Sequence, residues 1–367
     1  MRIAHISDTH LGYRQYNLDE REQDIYDAFD EAISKIIEER VDVLIHSGDL
    51  FDSPNPQIKA LKSFKNSIEK LEGKVKIFSV LGDHDMPKRR GIPPHKLFDV
   101  NVLGIGRLQS EEYKGVLFSG ISNLKGNNII LLKEELKKFD HEAEKYKKSV
   151  LILHQALKKY LPFEGAYELT ADDLPRSATY YALGHIHSRL FTKFGSGKLA
   201  YAGSTEILRK DEISSWEKNG KGFYIIDLED DEVAINKIDL DIRPQINIDI
   251  NTDELEEISD KLNYGKKPIL HARVIGEHID MKAIIEKFNE LYRNKTLSIK
   301  LSFKDTSSKM NLIPQKDWNL KKLMSEYLND EILADLAYNL YQLLIDNNIE
   351  EAKKVAEKFL EENKNDL

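Results

Sequence analysis

Five short, largely apolar runs in this chain break off at side chains that bind metal ions, and this repeated ending limits the possible folds more than any other feature. Residues 3–6 precede Asp8 and His10, and residues 41–45 precede Gly48-Asp49. Residues 75–80 precede Gly82-Asp83-His84-Asp85, residues 150–153 precede His154, and residues 180–183 precede Gly184-His185-Ile186-His187. Such runs, bounded by turn-forming residues, read as strands buried on both faces. Open α/β sheets place their ligand sites at the C-terminal ends of strands, so the pattern predicts an α/β domain in which five strand ends converge.

The intervening stretches fit this reading. Ile25, Phe29, Ile33, Ile36 and Ile37 recur at helical spacing within residues 24–39, and Ser53-Pro54-Asn55-Pro56 opens a second helix over 57–71. Strand, helix and strand in that order predict right-handed crossovers and parallel pairing. A charged helix over 133–147 and strands near 115–119, 198–202 and 222–228 complete a domain at 1–240. The pattern changes at Arg243-Pro244. Strands at 245–250, 271–274 and 296–303, an acidic helix after the first and a helix at 282–291 form an α+β module at 241–305. Beyond a polar linker, amphipathic helices at 320–328, 331–346 and 350–361 make 306–367 a helical segment. Its apolar stripe includes Leu320, Leu323, Tyr327, Leu336, Leu340 and Leu343, as expected of a surface that docks a partner.

Composition narrows the chemistry. The chain has no cysteine, so any metal must be held by histidine and carboxylate. A net charge of −9 argues against a basic coat for nucleic acid, but not against an enzyme whose phosphate-binding charge comes from divalent ions. No apolar run approaches the roughly 18 residues of a membrane span, and Met1-Arg2 leads straight into a strand, so an intracellular, cytoplasmic protein without membrane contact is expected.

Taken singly, each motif has an ordinary structural explanation: Asp8 as a turn cap, Gly48-Asp49 as a strand-to-helix turn, His154 as a core histidine. Together, three carboxylates (Asp8, Asp49, Asp83) and four imidazoles (His10, His154, His185, His187) can hold two ions if one carboxylate bridges them. That set suits Mn²⁺, Fe²⁺ or Zn²⁺ better than Ca²⁺. His84 and Asp85 are left as candidates for phosphate binding or leaving-group protonation. The reaction class is metal-assisted phosphoester hydrolysis.

In order and spacing, these motifs resemble the calcineurin-like metallophosphoesterases. Ser7-Asp8-Thr9-His10-Leu11-Gly12, His46-Ser47-Gly48-Asp49-Leu50-Phe51-Asp52 and Ala182-Leu183-Gly184-His185-Ile186-His187 more narrowly resemble the double-strand-break repair nucleases of the SbcD / meiotic recombination eleven family, with an archaeal character. The resemblance implies a four-layer β-sandwich flanked by helices, a small α+β capping domain that binds DNA and a helical C-terminal segment. It implies that Asp8, His10, Asp49 and His187 hold one metal and that Asp49, Asp83, His154 and His185 hold the other. The metal would be Mn²⁺ and His84 the catalytic histidine. The implied activities are 3′-to-5′ exonuclease on double-stranded DNA and endonuclease on single-stranded DNA. An SbcC-type ATPase is the implied partner of the C-terminal helices, and a homodimer is implied through 57–71 and 94–100.

Two positions depart from the family. It has asparagine where Asp83 stands, which adds negative charge to the metal shell and makes a catalytically weakened scaffold a competing reading. Many relatives have histidine where Asp52 stands, a residue tied to exonuclease action. Tyr13, Arg14, Lys88, Arg89 and Arg90 flank the motif loops and are candidates for DNA phosphate contact. A small-molecule phosphodiesterase would use the same metal core, but has little need for the module at 241–305 or the helical tail.

Overall fold

In a computed structural model, the apolar runs form the middle of two six-stranded sheets. The structure describes residues 1–71, 73–87, 91–161, 166–229, 232–307, 324–325, 328, 330–345 and 349–362. The first sheet contains β1 (Arg2–Ile6), β2 (Val43–His46), β3 (Lys76–Ser79) and β4 (Asn101–Val102), all parallel. The second contains β5 (Gln109–Tyr113), β6 (Val116–Ile121), β7 (Lys148–His154), β8 (Tyr180–Gly184), β9 (Leu190–Phe194) and β10 (Gly197–Tyr201) in the order β5-β6-β7-β8-β10-β9. Its four central strands are parallel and its two edges antiparallel. The chain then returns to the first sheet as β11 (Gly222–Asp227) and β12 (Ala234–Asp239), giving the order β12-β11-β1-β2-β3-β4.

The two-residue period of a strand explains the layers. Ile3, Val43, Ile45, Phe78, Phe118, Val150, Ile152 and Ala182 face inward and pack sheet against sheet. Ala4, Ile6 and Leu44 face the other way, under α1 (Asp19–Glu38) and α2 (Ile58–Glu69), where Ile25, Phe29, Ile33 and Phe64 cover them. On the opposite side Leu117, Leu151 and Leu153 are covered by Leu132, Leu136 and Phe139 of α3 (Ile129–Leu136) and α4 (Phe139–Ala143). The result is a helix–sheet–sheet–helix sandwich with every central strand buried on both faces. The carboxyl ends of β1, β2 and β3 are aligned, Ile6 beside His46 beside Ser79, and His154 of β7 is aligned with Gly184 of β8.

A short helix, α5 (Ile213–Asn219), precedes β11. A third sheet has the order β13 (Gln245–Asn251), β14 (Ile269–Gly276) and β15 (Ser298–Asp305), with α6 (Met281–Tyr292) between the last two. Buried polar groups tie its first strand to the sandwich. Gln245 Nε2 donates to Gln15 Oε1 at 2.9 Å and to the Ile207 carbonyl at 3.0 Å, and Arg243 Nε donates to Asp24 Oδ2 at 2.6 Å. The tail helices are α7 (Glu331–Ile345) and α8 (Ile349–Glu362). By contact density the chain divides into two units, Met1–Ile275 with Asp280–Lys304, and Gly276–Ile279 with Asp305–Leu367. Among the described residues no helix is long and apolar enough to cross a membrane.

Several expected elements differ. The helix expected over 133–147 starts earlier and is split in two, because Lys138 N bonds the Glu135 carbonyl (3.1 Å), a three-residue turn that ends α3. No acidic helix follows β13. Glu254, Glu257 and Lys261 instead donate to carbonyls three residues back, and only a single 3₁₀ turn, Ser259–Leu262, results. The edge strand β5 was not anticipated, since Gln-Ser-Glu-Glu-Tyr has the polar composition of an exposed edge.

His5 bridges the two sheets. Its ring nitrogens lie 2.8 Å from Tyr180 Oη and 2.8 Å from Ser47 Oγ, and burial pushes its pKa down to about 3. Folded His5 therefore stays neutral where the unfolded chain, with a pKa near 6.5, takes a proton, so the folded state is penalised as pH falls from 6.5 toward 3. The expected cost is up to about 1.4 kcal/mol per pH unit across that window. Denaturant melts of the protein and His5→Gln between pH 7 and 4 check this, because the variant loses that share of the slope.

Candidate metal centre

The loops after β1, β2, β3, β7 and β8 all open on one cleft. Asp8, His10, Asp49 and His185 have positive φ angles of 50°, 44°, 54° and 87°. Non-glycine residues adopt this region only where the surroundings over-determine it, and such residues gather at functional sites. Two glycines let the loops approach so closely. A Cβ on Gly184 would overlap the Ser47 carbonyl and Ser7 Oγ, and one on Gly48, at φ +97°, would overlap the His154 ring.

Asp49 lies at the centre. Its Oδ1 accepts from His84 N at 2.8 Å, while Oδ2 is 3.3 Å from His154 Nε2 and 3.6 Å from His10 Nε2. Asp8 accepts from His185 N at 3.1 and 3.2 Å and lies 3.8 Å from His187 Nε2. Three histidines are oriented through Nδ1: His10 to Asp52 Oδ1 (3.2 Å), His154 to the Ser47 carbonyl (2.8 Å) and His187 to Glu212 Oε1 (2.7 Å). Each bond assigns Nδ1 as a protonated nitrogen and turns Nε2 inward, so that an ion displacing any proton there would meet the lone pair a metal ligand needs. His10 Nε2, His154 Nε2 and Asp83 Oδ1 are buried without a hydrogen bond.

Two groups have donor atoms within 4.8 Å of one another: Asp8 with His10 and His187, and Asp83 with His154 and His185. Asp49 joins both neighbourhoods, grouping with His10 and His84 and with Asp8 and His154. A nitrogen- and oxygen-donor set of buried, unsatisfied groups around a shared carboxylate fits two divalent ions. Protonation follows the same geometry. Burial opposes the charged form of His154, but Asp49, Asp8 and Asp83 overcome it and raise its pKa to about 10. Burial, reinforced by His154, lowers that of His185 to about 4.

The other expected site residues divide. His84 lies at the cleft mouth with its side chain 47% exposed and its Nδ1 2.9 Å from the Asp52 carbonyl. Tyr13 lines the cleft of about 330 Å³. Arg14 does not line it and pairs with Asp19 at 2.7 Å. Lys88, Arg89, Arg90, Leu320, Leu323 and Tyr327 lie outside the described residues. Leu336, Leu340 and Leu343 are half-buried on α7, which exposes Ile332, Leu333 and Tyr341.

Asp85 is not a substrate-facing group. It is fully buried and accepts from the backbone of Leu50, Phe51 and Gly82 at 3.0–3.1 Å, so it clamps the motif loops together. The added charge of Asp83 has a partner, because Lys125 Nζ lies 2.7 Å from its Oδ2.

Other contributors were missed. Glu212, which orients His187, is held by Lys221 at 2.6 Å, and Arg209 lines the cleft. A cationic band lies near Tyr16. Lys300 Nζ sits 4.3 Å from the centre of its ring; burial, then Lys210 and Lys300, lower the pKa of His271 to about 4, and Arg273, then Lys210 and Lys304, lower that of Asp249. The alternation of Lys300, Ser302 and Lys304 in β15 was the available signal, since residues two apart share a face.

The calcineurin-like phosphoesterase family model matches residues 1–189. The chain is 36% identical to the DNA double-strand break repair protein Mre11 of Methanocaldococcus jannaschii, over 95% of each chain. It is 37% identical to the Mre11 protein of Thermoplasma acidophilum over 99% of each, and 36% identical to that of Sulfurisphaera tokodaii over 97% of this chain and 92% of the relative. The chain therefore belongs to the calcineurin-like phosphoesterase family and, within it, to the Mre11 family of DNA double-strand break repair proteins.

Proposed function

We propose that this chain is a metal-dependent DNA nuclease that processes double-strand-break ends, acting as a 3′-to-5′ exonuclease on double strands and an endonuclease on single strands. The observation that carries the reading is Asp49 set between two histidine–carboxylate groups at the base of an open cleft, with His84 at its mouth. Asp8, His10, Asp49 and His187 would hold one ion, and Asp49, Asp83, His154 and His185 the other; the donor set suits Mn²⁺, Fe²⁺ or Zn²⁺, and the family resemblance favours Mn²⁺. Two such ions supply Lewis-acid activation of water and neutralise charge developing on the phosphate.

The chain's own groups do the rest. Asp52, Ser47 and Glu212 fix the rings of His10, His154 and His187, so the ligand geometry exists before any ion arrives. His84, anchored through Nδ1 on the Asp52 carbonyl, would meet the scissile phosphate at the cleft and aid departure of the leaving oxygen. Asp52 thus links His10, through its carboxylate, to His84, through its carbonyl. Tyr13, Arg209 and the band of Lys210, Lys300 and Lys304 would guide the phosphate backbone toward the cleft.

In this reading residues 1–240 carry the chemistry, 241–305 cap the cleft, and 306–367 dock an SbcC-type ATPase. The exposed Ile332, Leu333 and Tyr341 of α7 support the docking role. Exposed Ile58, Ile92 and Leu97 support a homodimer through α2 and the neighbouring loop.

Cleavage of end-labelled double- and single-stranded DNA with Mn²⁺, beside a small phosphodiester, tests the activity. DNA cutting abolished by a chelator is the expected result. Hydrolysis of the small ester alone would make the chain a small-molecule phosphodiesterase. Replacing Lys210 and Lys300 by alanine should reduce the slope of log affinity for DNA against log salt by about 1 for each lysine that meets a phosphate. An unchanged slope would take the band out of the DNA path.

A further inference from the structure

Asp83 faces two ways. Its Oδ1 is buried without a hydrogen bond beside His154 and His185, while its Oδ2 is held by Lys125 Nζ at 2.7 Å. The backbone that carries Lys125 is itself fastened to the site. Ser122 Oγ accepts from Leu81 N at 3.0 Å, and Asn123 N donates to the Leu81 carbonyl at 2.8 Å. Buried Asn123 also donates through Nδ2 to the His154 carbonyl at 2.8 Å. Lys125 therefore projects from a segment tied both to the residue two before Asp83 and to the backbone of His154.

We infer that Lys125 is a positioning residue of the metal centre: it neutralises the Asp83 carboxylate and holds Oδ2, so that Oδ1 alone faces the ion. The inference rests on the two-ion reading above. Part of the added charge of an acidic ligand is thereby offset, and the repulsion that Asp83 would exert on a phosphodiester is reduced. The Lys125 side chain is 60% exposed and that of Asp83 18%, so solvent screens the pair and bounds its effect.

Calorimetric titration of Mn²⁺ into the metal-stripped full chain tests this. Lys125→Met should tighten one of the two ions by about fivefold at low ionic strength, whereas Lys125→Arg should change it by less than about twofold. In an Asp83→Asn background, where Lys125 has lost its anchor, adding Lys125→Met should shift affinity by less than about twofold. Thermal melts of the metal-free forms confirm that each variant is folded. An unchanged affinity in Lys125→Met, or the same shift in both backgrounds, would overturn the role of Lys125 while leaving the two-ion site intact. Failure of the unsubstituted chain to bind Mn²⁺ would overturn the two-ion reading and this inference with it.

Discussion

The carboxylate of Asp49 is where the two sheets meet chemically. It follows β2 of the first sheet on a backbone with positive φ, accepts from His84 after β3, and stands 3.3 Å from His154 at the end of β7 in the second sheet. Aspartate tolerates this region better than most residues, yet the conformation remains uncommon. It is sustained because Asp85 binds the Leu50, Phe51 and Gly82 backbones from below, and because Gly48 and Gly82 let the loops close to contact. The sandwich core, with Ile45, Phe78, Val150 and Ala182 packed between the sheets, holds both sets of strand ends at this separation. The concentration of buried like charges is what cations must relieve. Before any ion binds, the carboxylates hold a proton on His154 while His185 is driven to the neutral form.

The strands that carry the chemistry were legible in the sequence because burial on both faces makes them continuous apolar runs. The site residues were legible as a set, since a histidine or aspartate directly after each run has little structural reason to be there. What escaped reading depends on contacts between distant segments. Lys125 meets Asp83 from 42 residues away, and Glu212 meets His187 from 25 residues away, with no local pattern to mark either. Asp85 misled because proximity to His84 in sequence suggests proximity to substrate, whereas adjacent loop residues point in different directions. The edge strand β5 and the turns after β13 were obscured by polar composition, which serves exposed strands and loops equally.

The third sheet is connected to the cleft by polar groups rather than by an apolar core. Gln15 binds both Gln245 and the Leu208 carbonyl, and Arg21, fully buried, binds Asp24, Glu206 and the Ile207 carbonyl. The segment 206–209, which supplies Leu208 and Arg209 to the cleft, is thus fixed by the same network that seats β13. Buried polar networks of this kind are costly when any member is unpaired, so they specify one arrangement of the parts they join. Lys210, which follows that segment, and Lys300 and Lys304 of β15 act on the same groups of the third sheet, His271 and Asp249.

In the proposed function Asp49 is shared by two ions. Anomalous diffraction from crystals soaked in Mn²⁺ addresses it most directly. Two peaks per chain are expected, one among Asp8, His10 and His187 and one among Asp83, His154 and His185, each touching Asp49. A single peak, or two that leave Asp49 unligated, would contradict it.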